Sequence, residues 1–300
     1  MRFAIAGATG LVGTELTKQL RAEGHTVTRI TRSREKARAP GTVRWSPSTG
    51  EVDEAALAGH EVVVNLAGEP IAGIWTKERK RRILSSRVDG TRLLAQTIVR
   101  LDPRPRAYFV SSGMNYYGAR PTDEPKTEAA PKGDGFLADV THAWEAAADP
   151  ARDAGIRVVH MRCGHVLDGS GGLLGPMLPF FKLGLGGWIG DGRQVWSWIA
   201  NPELPRALLH VLARDEITGA VNFCTPNPVP NREFSETLAR VLNRPAFLFL
   251  PEFAARLAPG GMGEEALLAG VRMAPAKLVA SGYDFRWPEL EGALREVIGK

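Results

Sequence analysis

Three glycines near the start of the chain have the spacing that a dinucleotide phosphate requires. Gly7, Gly10 and Gly13 stand between an apolar run at residues 3–7, typical of a buried strand, and a helical pattern over residues 11–21. In such a unit the first glycine shapes the turn, the second admits the pyrophosphate, and the third lets the helix pack on the sheet. The first amide groups of the helix then bind the anion. The residues expected at this phosphate site are Gly7, Thr9, Gly10, Leu11 and Val12.

The end of the next apolar run indicates which dinucleotide binds. An acidic side chain about 20 residues after the glycines would favour NAD, because it accepts a hydrogen bond from the ribose hydroxyl and repels a phosphate. No acidic residue occurs between His25 and Arg34, and Arg32 lies nineteen residues after Gly13. A guanidinium there can bind the 2′-phosphate of NADP, and Ser33 can donate a further hydrogen bond. The sequence therefore favours NADP(H), the alternative being that these are surface arginines that merely follow a strand.

Apolar runs and helical patterns alternate in the first half of the chain, and this alternation predicts the strands and helices that position the glycine turn. Long helical patterns cover residues 77–100 and 136–153. Apolar strands that alternate with helices form parallel sheets covered on both faces, and right-handed crossovers make the sheet doubly wound. We therefore predict an α/β fold with a Rossmann domain at residues 1–165. The predicted strands are residues 3–7, 25–31, 43–45, 61–68, 107–112 and 156–162.

The second half, residues 166–300, is predicted to form a smaller substrate-side and C-terminal region, with some segments returning to the Rossmann sheet. Residues 173–192 combine glycine and proline with large apolar side chains, a composition that favours a lid or a substrate wall over a regular element. Short helices separated by prolines are predicted over the last fifty residues. Between these segments we predict a strand-like run at 194–199, helices near 202–213 and 232–242, and a strand at 220–224.

The composition is that of a globular protein without a targeting or membrane segment. Of 300 residues, 44% are apolar and 24% are charged, as in ordinary soluble domains. No run approaches the roughly 18 apolar residues of a membrane span, and the N-terminus lacks the cleavage pattern of a secretory signal. Cys163 and Cys224 lie far apart in no metal-like spacing, which favours a reducing cytoplasm and no metal site. The net charge of +5 includes a basic cluster at 77–82, which we expect to be a solvated helix face and not a nucleic-acid site.

Several motifs along the chain resemble one family. GATGLVG at 7–13, NLAG at 65–68, and SS followed by YG within 111–118 resemble the extended short-chain dehydrogenase/reductases. NLAGEPIA, SSRVDGTRLL, FLADVTHAWEAAA, GDGRQVWSWI and NREFSETLARVLNRPAF resemble their atypical epimerase-like members, labelled nucleotide-sugar epimerases or cell-division-inhibitor-like proteins. PAKLVASGYDFRWPELEGAL resembles that family's own C-terminal domain. The resemblance covers nearly the whole chain and implies a redox or epimerisation step on a small molecule.

Further cofactor contacts are implied by the resemblance. The loop after the fourth predicted strand should line the cofactor, and the long helix should approach it at Ser86 and Arg87. The strand end after Arg162 should reach the nicotinamide. For Leu66 or Val166 taken alone, core packing is an equally good account. The residues assigned in this way are Leu66, Ala67, Gly68, Glu69, Ser86, Gly164, His165 and Val166.

The catalytic residues of the superfamily are missing from their usual positions. Its members use a Tyr and a Lys four residues later, with a Ser or Thr opposite, to move a proton while hydride passes to or from the nicotinamide. No Tyr-x-x-x-Lys occurs in the chain, and alignment by Glu145 places Leu137 and Thr141 at these two positions. Gly113 occupies the usual place of the hydroxyl residue, one residue after Ser112. Sugar-nucleotide epimerisation by the usual mechanism is therefore not expected.

Replacement groups and substrate contacts are predicted near the same edge of the sheet. Tyr116 and Tyr117 follow the fifth predicted strand and are candidate acids together with Ser112, although Tyr117 matches a position that is usually structural. Asn115 and Arg193 are the candidate substrate contacts, Arg193 for an anionic group. Large apolar side chains in the second half suggest a less polar ligand than a nucleotide sugar, and core packing explains most of them equally well.

Two functions stay open from the sequence. The first is an NADP(H)-dependent oxidoreductase or epimerase that acts on an unidentified small molecule with an atypical active site. The second is a binding module that holds NADP(H) without catalysis and signals its redox state through a protein partner. The missing Tyr and Lys favour the second function, and the retained lid and substrate wall favour the first.

Overall fold

Alternating strands and helices make up most of the chain. A computed structural model describes residues 1–119, 124–257 and 259–300. In these residues the strands are β1 (Arg2–Ala6), β2 (Thr26–Thr31), β3 (Thr42–Ser46), β4 (Glu51–Val52), β5 (Val62–Asn65), β6 (Ala107–Gly113), β7 (Arg157–Cys163), β8 (His165–Asp168), β9 (Gly171–Gly172), β10 (Gly186–Ile189), β11 (Val195–Trp196), β12 (Trp198–Ala200), β13 (Gly219–Phe223), β14 (Val229–Pro230) and β15 (Ala246–Leu250). The α-helices are α1 (Leu11–Ala22), α2 (Glu54–Leu57), α3 (Lys77–Arg100), α4 (Phe136–Ala146), α5 (Asp149–Asp153), α6 (Leu174–Lys182), α7 (Glu203–Leu212), α8 (Asn231–Leu242), α9 (Glu252–Arg256), α10 (Ala276–Ala280) and α11 (Leu290–Ile298).

The glycine turn lies at the carboxyl edge of an eight-stranded sheet. The strand order is β13-β7-β6-β5-β1-β2-β3-β4, and every neighbouring pair is parallel except β3 and β4. The order reverses between β1 and β5, so the connections after these two strands leave to opposite faces and open a crevice at their carboxyl ends. The predicted doubly wound fold is confirmed.

Alternating side chains of the central strand are buried on both faces of the sheet. Phe3 and Ile5 pack with α1 and α7, whereas Ala4 and Ala6 pack with α3 and α4. Successive side chains of a strand point to opposite faces, which is why a strand covered on both sides is apolar throughout. With both faces covered, the carboxyl edge is left for ligands. In the part of the chain that the structure describes, no helix is long and apolar enough to span a membrane.

The structure corrects the prediction of an irregular lid at residues 173–192, because this segment contains α6 and β10. Leu174, Leu178 and Phe181 are spaced four and three residues apart and bury one side of α6. Pro176 lies in the first turn, where its missing amide breaks no helical hydrogen bond. Burial of the apolar side therefore stabilises a helix that composition alone disfavours.

Other boundaries also differ from the sequence prediction. The helix predicted over residues 136–153 is divided into α4 and α5, because Pro150 begins a new helical turn after a break at residues 147–148. Strand β13 comes from the second half of the chain and forms the edge of the Rossmann sheet beside β7. β10 pairs in parallel with β15, a strand that the sequence prediction missed.

The buried carboxylate of Glu203 joins the C-terminal segment to α7. Its side chain is 2% exposed. One oxygen accepts hydrogen bonds from the backbone N–H groups of Arg286 and Trp287 at 2.9 and 3.0 Å. The other accepts from the Tyr283 hydroxyl and from Arg206. A buried carboxylate is stable only when its lone pairs are satisfied, so these donors and Glu203 hold the C-terminal segment against α7.

Replacing Glu203 tests this anchor. Glu203→Ala leaves buried donors without an acceptor, and we expect the free energy of unfolding to fall by about 3 kcal/mol. Urea denaturation followed by circular dichroism measures the change. The control is Glu296→Ala on the exposed side of α11, which should change stability by less than about 0.5 kcal/mol. Equal small losses in both variants would show that Glu203 anchors nothing.

Candidate functional site

The glycine turn brings the backbone of β1, the loop after β5 and α1 into close contact. Gly7 has a φ of +81°, and a Cβ there would lie 2.9 Å from the carbonyl carbon of Leu66. A Cβ on Gly13 would lie 2.1 Å from the Gly7 oxygen. Neither position therefore accepts a side chain. Gly10 differs, since its Cβ would meet only the Gly7 oxygen at 3.3 Å, which leaves open space in front of it.

The amino-terminal end of α1 carries no competing negative charge. Gly10 is the N-cap residue, no side chain caps the helix, and no acidic residue lies in its first turn. The first amides of a helix lack partners within the helix, and the helix dipole makes this end positive. The open space at Gly10 and the uncapped helix end together make an anion site.

A cavity of about 210 Å³ adjoins this turn, and we call it the turn cavity. Leu66 and Val166 line it, and Ser111 and Cys163, near the carboxyl ends of β6 and β7, lie in the same wall. Burial raises the pKa of the Cys163 thiol to about 12, so the group is a neutral thiol at pH 7. The remaining lining residues are Gly7, Gly10, Leu11, Val12, Gly13, Leu16, Met161, Leu204, Pro205 and Leu208.

A second cavity, of about 280 Å³, lies on the other side of the loop after β5, and we call it the Arg32 cavity. Arg32 is exposed at its edge. Trp45 is 3% exposed, and its indole N–H has no hydrogen-bond partner. The structure thus brings Arg32 together with most of the predicted loop and helix residues. The full lining is Arg32, Trp45, Pro47, Ser48, Ala67, Gly68, Glu69, Arg82, Ser85, Ser86 and Asp89.

Hydrogen bonds hold the loop between the two cavities. The Asn65 side chain accepts from the Ala67 N–H at 3.1 Å and donates to the Thr91 hydroxyl at 2.9 Å. The N–H of Glu69 donates to the Ser86 hydroxyl at 3.1 Å, and Arg87 donates to the Glu69 carbonyl at 3.0 Å. Burial lowers the pKa of Arg87 to about 10, so its guanidinium is still charged at pH 7. The loop conformation is therefore fixed from β5 on one side and from α3 on the other.

Ser33 contributes to the turn that presents Arg32. Its hydroxyl accepts a hydrogen bond from the Lys36 N–H at 3.2 Å, and its own N–H donates to the Thr31 hydroxyl at 3.3 Å. Arg44 donates to the carbonyl of Arg32. The backbone of this turn is thus held from three directions, while the guanidinium of Arg32 extends toward solvent at the cavity edge.

Apolar packing fills the positions aligned with the superfamily's Tyr and Lys. Leu137 is 3% exposed and packs with Trp75 and Ile83. Thr141 is 5% exposed, and its hydroxyl donates to the Leu137 carbonyl at 2.7 Å. The carboxylate of Glu265, from the C-terminal region, accepts from the Leu137 N–H at 2.8 Å and caps α4. Neither aligned side chain can exchange a proton with a substrate.

A buried hydrogen-bond network holds two of the predicted catalytic residues away from the turn cavity. The Ser112 hydroxyl donates to Glu145 at 2.6 Å, and Arg162 pairs with the same carboxylate at 2.8 Å. Tyr117 donates to Asn222 at 2.7 Å and accepts from Arg162 at 3.1 Å. Burial raises the pKa of Tyr117 to about 12. The structure does not bring Ser112 or Tyr117 to the turn cavity, because both hydroxyls are hydrogen-bonded within this buried network. The neighbouring Ser111 lines the turn cavity instead.

Tyr116 is also placed away from the turn cavity. The guanidinium carbon of Arg162 lies 3.4 Å from the centre of its ring. This ring lines a groove of about 790 Å³ over β7 and β13, beside α4. Asn115 lies in the same short turn after β6, and the side chain of Arg193 is 90% exposed beside Asp191. The structure does not bring Tyr116 and Arg193 together with the glycine turn.

The segment after β7 contacts the second half of the chain. A Cβ on Gly164 would lie 2.7 Å from the carbonyl oxygen of Ser197, so close packing alone requires this glycine. The His165 ring packs on Trp196 with a centroid distance of 5.1 Å, and its Nε2 has no partner. Burial lowers the pKa of His165 to about 4, so the ring is neutral at pH 7. Val166 alone of the three predicted residues, Gly164 to Val166, lines the turn cavity.

Sequence reasoning missed several residues of the site. Ser111 and Cys163 lie near the carboxyl ends of β6 and β7, and this position is the signal that could have identified them. Trp45 belongs to a predicted strand, but nothing in the neighbouring sequence indicates that its indole N–H lacks a hydrogen-bond partner. Glu265 is far in sequence from α4, so no spacing could have revealed that it caps this helix.

Family models match both parts of the chain. Residues 3–224 match the NAD dependent epimerase/dehydratase family, and residues 250–297 match a domain of unknown function, DUF1731. An epimerase family protein of Mycobacterium bovis is 40% identical over 295 residues, which cover 97% of this chain and 95% of that protein.

Solved structures are similar over the whole chain. The crystal structure of human epimerase family protein SDR39U1 (isoform 2) with NADPH has a TM-score of 0.89 and 34% identity, and the match covers 100% of both chains. A nucleoside-diphosphate sugar epimerase from Corynebacterium glutamicum has a TM-score of 0.80 and 33% identity, over 100% of this chain and 58% of that one. The resemblance to the atypical epimerase-like members of the extended short-chain dehydrogenase/reductases is confirmed, and the chain belongs to the NAD dependent epimerase/dehydratase family.

Proposed function

We propose that this protein binds NADP(H) across the loop after β5 and carries out a hydride-transfer step on a small molecule. The observation that carries the proposal is the uncapped amino-terminal end of α1 behind the open space at Gly10. The pyrophosphate fits there, the nicotinamide half fits the turn cavity, and the adenosine half fits the Arg32 cavity. The NADPH in the human relative's crystal structure supports the same cofactor.

The residues present fit an NADP(H) molecule in three respects. Because Gly10 has no side chain, the space in front of it is open to a pyrophosphate. The indole N–H of Trp45 is buried and unpartnered in the wall of the Arg32 cavity, where an acceptor of the adenosine half would satisfy it. Arg32 can pair with the 2′-phosphate at the edge of the same cavity. NADP(H) supplies the hydride donor or acceptor.

Residues of the turn cavity orient the substrate in this proposal. Ser111 lies near the carboxyl end of β6 in the cavity wall, and its hydroxyl can donate a hydrogen bond to a substrate oxygen as charge develops there. The Cys163 thiol stays neutral and shields one side from water. Leu66 and Val166 form the apolar part of the wall. Solvent supplies the proton, since Leu137 and Thr141 carry no group that can.

A second function, NADP(H) sensing without turnover, has one observation in its favour. The positions aligned with the Tyr and Lys hold the buried Leu137 and Thr141, and the hydroxyls of Tyr117 and Ser112 are bound within the protein. A sensor needs the cofactor site alone. A turnover assay separates the two functions, because both require NADP(H) binding.

Arg32 should select NADPH over NADH. We expect NADPH to bind at least tenfold more tightly in calorimetry, a difference of about 1.4 kcal/mol, because the guanidinium pairs with the 2′-phosphate. Arg32→Asp should abolish or reverse this preference. Arg21→Asp is the control, since it lies about 16 Å along α1 from the phosphate site. Equal affinity of the wild type for both dinucleotides would refute the role of Arg32.

Substitution of Gly10 should abolish NADPH binding, whereas substitution of Gly13 should destabilise the fold. Gly10→Val should fold, because the residue has a φ of −77° and open space beside it, yet its side chain should exclude the pyrophosphate. Gly13→Val should lower the melting temperature of the free protein, since its Cβ overlaps the Gly7 backbone. Thermal unfolding with and without NADPH measures both effects. A folded Gly10→Val protein that NADPH still stabilises would place the phosphate elsewhere.

Turnover should depend on Ser111 and not on the tyrosines. We expect the protein to oxidise NADPH with at least one member of a panel of aldehydes and ketones, measured as a decrease in NADPH absorbance. Ser111→Ala should lower kcat about tenfold and leave the NADPH affinity unchanged. Ser111→Thr keeps the hydroxyl and should retain activity. The Tyr116→Phe, Tyr117→Phe double variant should also turn over.

The contrary outcomes of this assay are distinct. UDP- or dTDP-sugar epimerisation faster than about 1 s⁻¹ would contradict the expectation drawn from Leu137 and Thr141. If the double tyrosine variant is folded but has lost turnover, Tyr116 or Tyr117 is the proton donor. Tight NADPH binding without any turnover over the whole panel would favour the sensing function.

A further inference from the structure

A third cavity, of about 600 Å³, lies in the second half of the chain between α6, β10 and β15, and we call it the apolar cavity. Within the described residues, no charged side chain lines it. Its volume is in the range of small-molecule sites, which are apolar with a few placed polar groups. The lining residues are Leu173, Pro176, Met177, Phe180, Phe181, Leu185, Gly186, Gly187, Trp188, Ile189, Trp196, Asn231, Leu248, Phe249, Leu250, Ala266 and Leu267.

Two buried hydrogen-bond donors in this wall have no partner. Asn231 is 1% exposed, and its Oδ1 accepts from the Ile189 N–H at 2.8 Å, while its Nδ2 is unpartnered. Trp196 is 4% exposed, and its Nε1 is also unpartnered. A buried donor without an acceptor destabilises a protein. An acceptor atom of a ligand in the cavity would satisfy these donors.

The rim of the apolar cavity is exposed and apolar. Phe180 and Phe249 are each 60% exposed, Leu185 is 52% exposed and Leu248 is 40% exposed. Large side chains of this kind are rarely left in contact with water as a contiguous surface unless they bind something. Covering them with an apolar ligand body removes this surface from water, which favours binding.

Trp196 and β8 lie between the apolar cavity and the turn cavity. Trp196 lines the apolar cavity, and its ring packs on His165. His165 is followed directly by Val166, which lines the turn cavity. Successive side chains of a strand point to opposite faces, so the apolar cavity and the turn cavity lie on the two sides of β8.

We propose that the apolar cavity binds an apolar small molecule that carries a neutral oxygen acceptor, such as a ketone or an ester. The apolar body lies between α6 and β15, and the oxygen accepts from Asn231 Nδ2 and Trp196 Nε1. A nucleoside diphosphate fits this wall poorly, because no Lys or Arg is among the described lining residues to pair with its phosphates. Its binding does not depend on the proposed function, because the lining of the apolar cavity shares no residue with that of the turn cavity.

Calorimetry with the full chain free of cofactor tests the proposal, with decan-2-one as the probe. We expect a Kd near 100 µM, roughly what an eleven-atom apolar ligand can reach, and no binding of UDP at the same concentrations. Asn231→Asp keeps the acceptor for the Ile189 N–H and removes the free donor, so the affinity should fall at least about fivefold. Trp196→Phe keeps an aromatic ring and removes the second donor, with a loss of about threefold or more.

Control variants separate the cavity from general effects on the fold. Trp287→Phe alters a tryptophan outside the lining and should leave the affinity unchanged. Ala266→Trp should fill the cavity and lower the affinity at least about tenfold, whereas Ala55→Trp, exposed on α2, should not. Melting temperatures verify that each variant is folded. Trp196→Phe shortens a buried ring, so its melting temperature without probe is expected to be lower than that of the wild type, and the affinity is compared only below that temperature.

Failure of this proposal is distinguishable from failure of the proposed function. If NADPH binds and decan-2-one does not, the apolar cavity is not a ligand site. If decan-2-one binds and NADPH does not, only the proposed function fails. Binding of UDP with loss in Ala266→Trp would overturn the apolar assignment. Light scattering tests whether a second copy of the chain covers the cavity. A dimer that does not bind the probe and that dissociates in Phe249→Ser would show that it does, and would overturn the proposal.

Discussion

The close contact between the backbones of Gly7 and Gly13 is the constraint on which the rest of the site depends. A Cβ on Gly13 would lie 2.1 Å from the Gly7 oxygen, so α1 reaches this position only because both residues are glycine. The contact aims the uncapped helix end at the crevice between β1 and β5, where the strand order reverses. The turn cavity, the Arg32 cavity and the loop that separates them are positioned from this point.

A second constraint holds the hydroxyls of Ser112 and Tyr117 within a buried hydrogen-bond network. Glu145 and Arg162 are buried as an ion pair, and such a pair is stable only when its other hydrogen-bonding atoms also have partners. Ser112 and Tyr117 supply part of these partners. Their hydroxyls are therefore structural. In the proposed function, Ser111 and the cofactor carry out the chemistry of the turn cavity, and the apolar cavity is a separate site.

The sequence predicted the features that depend on local pattern. The glycine turn, the central strands and the long helix α3 are each determined by spacing and periodicity within a short segment, and the structure contains all of them. The helix α6 was not predicted, because its stability comes from burial against distant residues and not from its composition. Ser112 is predicted because it directly precedes Gly113, the usual place of the hydroxyl residue, and this alignment does not say which face of β6 borders the turn cavity. The role of Tyr117 depends on Asn222, which lies 105 residues away.

Hydrogen–deuterium exchange of the full chain with and without NADPH tests the central claim most directly, since it reports where the cofactor binds. The account predicts slower exchange in two separate segments, the amides of the glycine turn at residues 7–13 and the turn at residues 31–36, with the loop at 66–69 between the two cavities also protected. Protection confined to other segments, such as the groove over β7 and β13, or no protection at saturating NADPH, would contradict it.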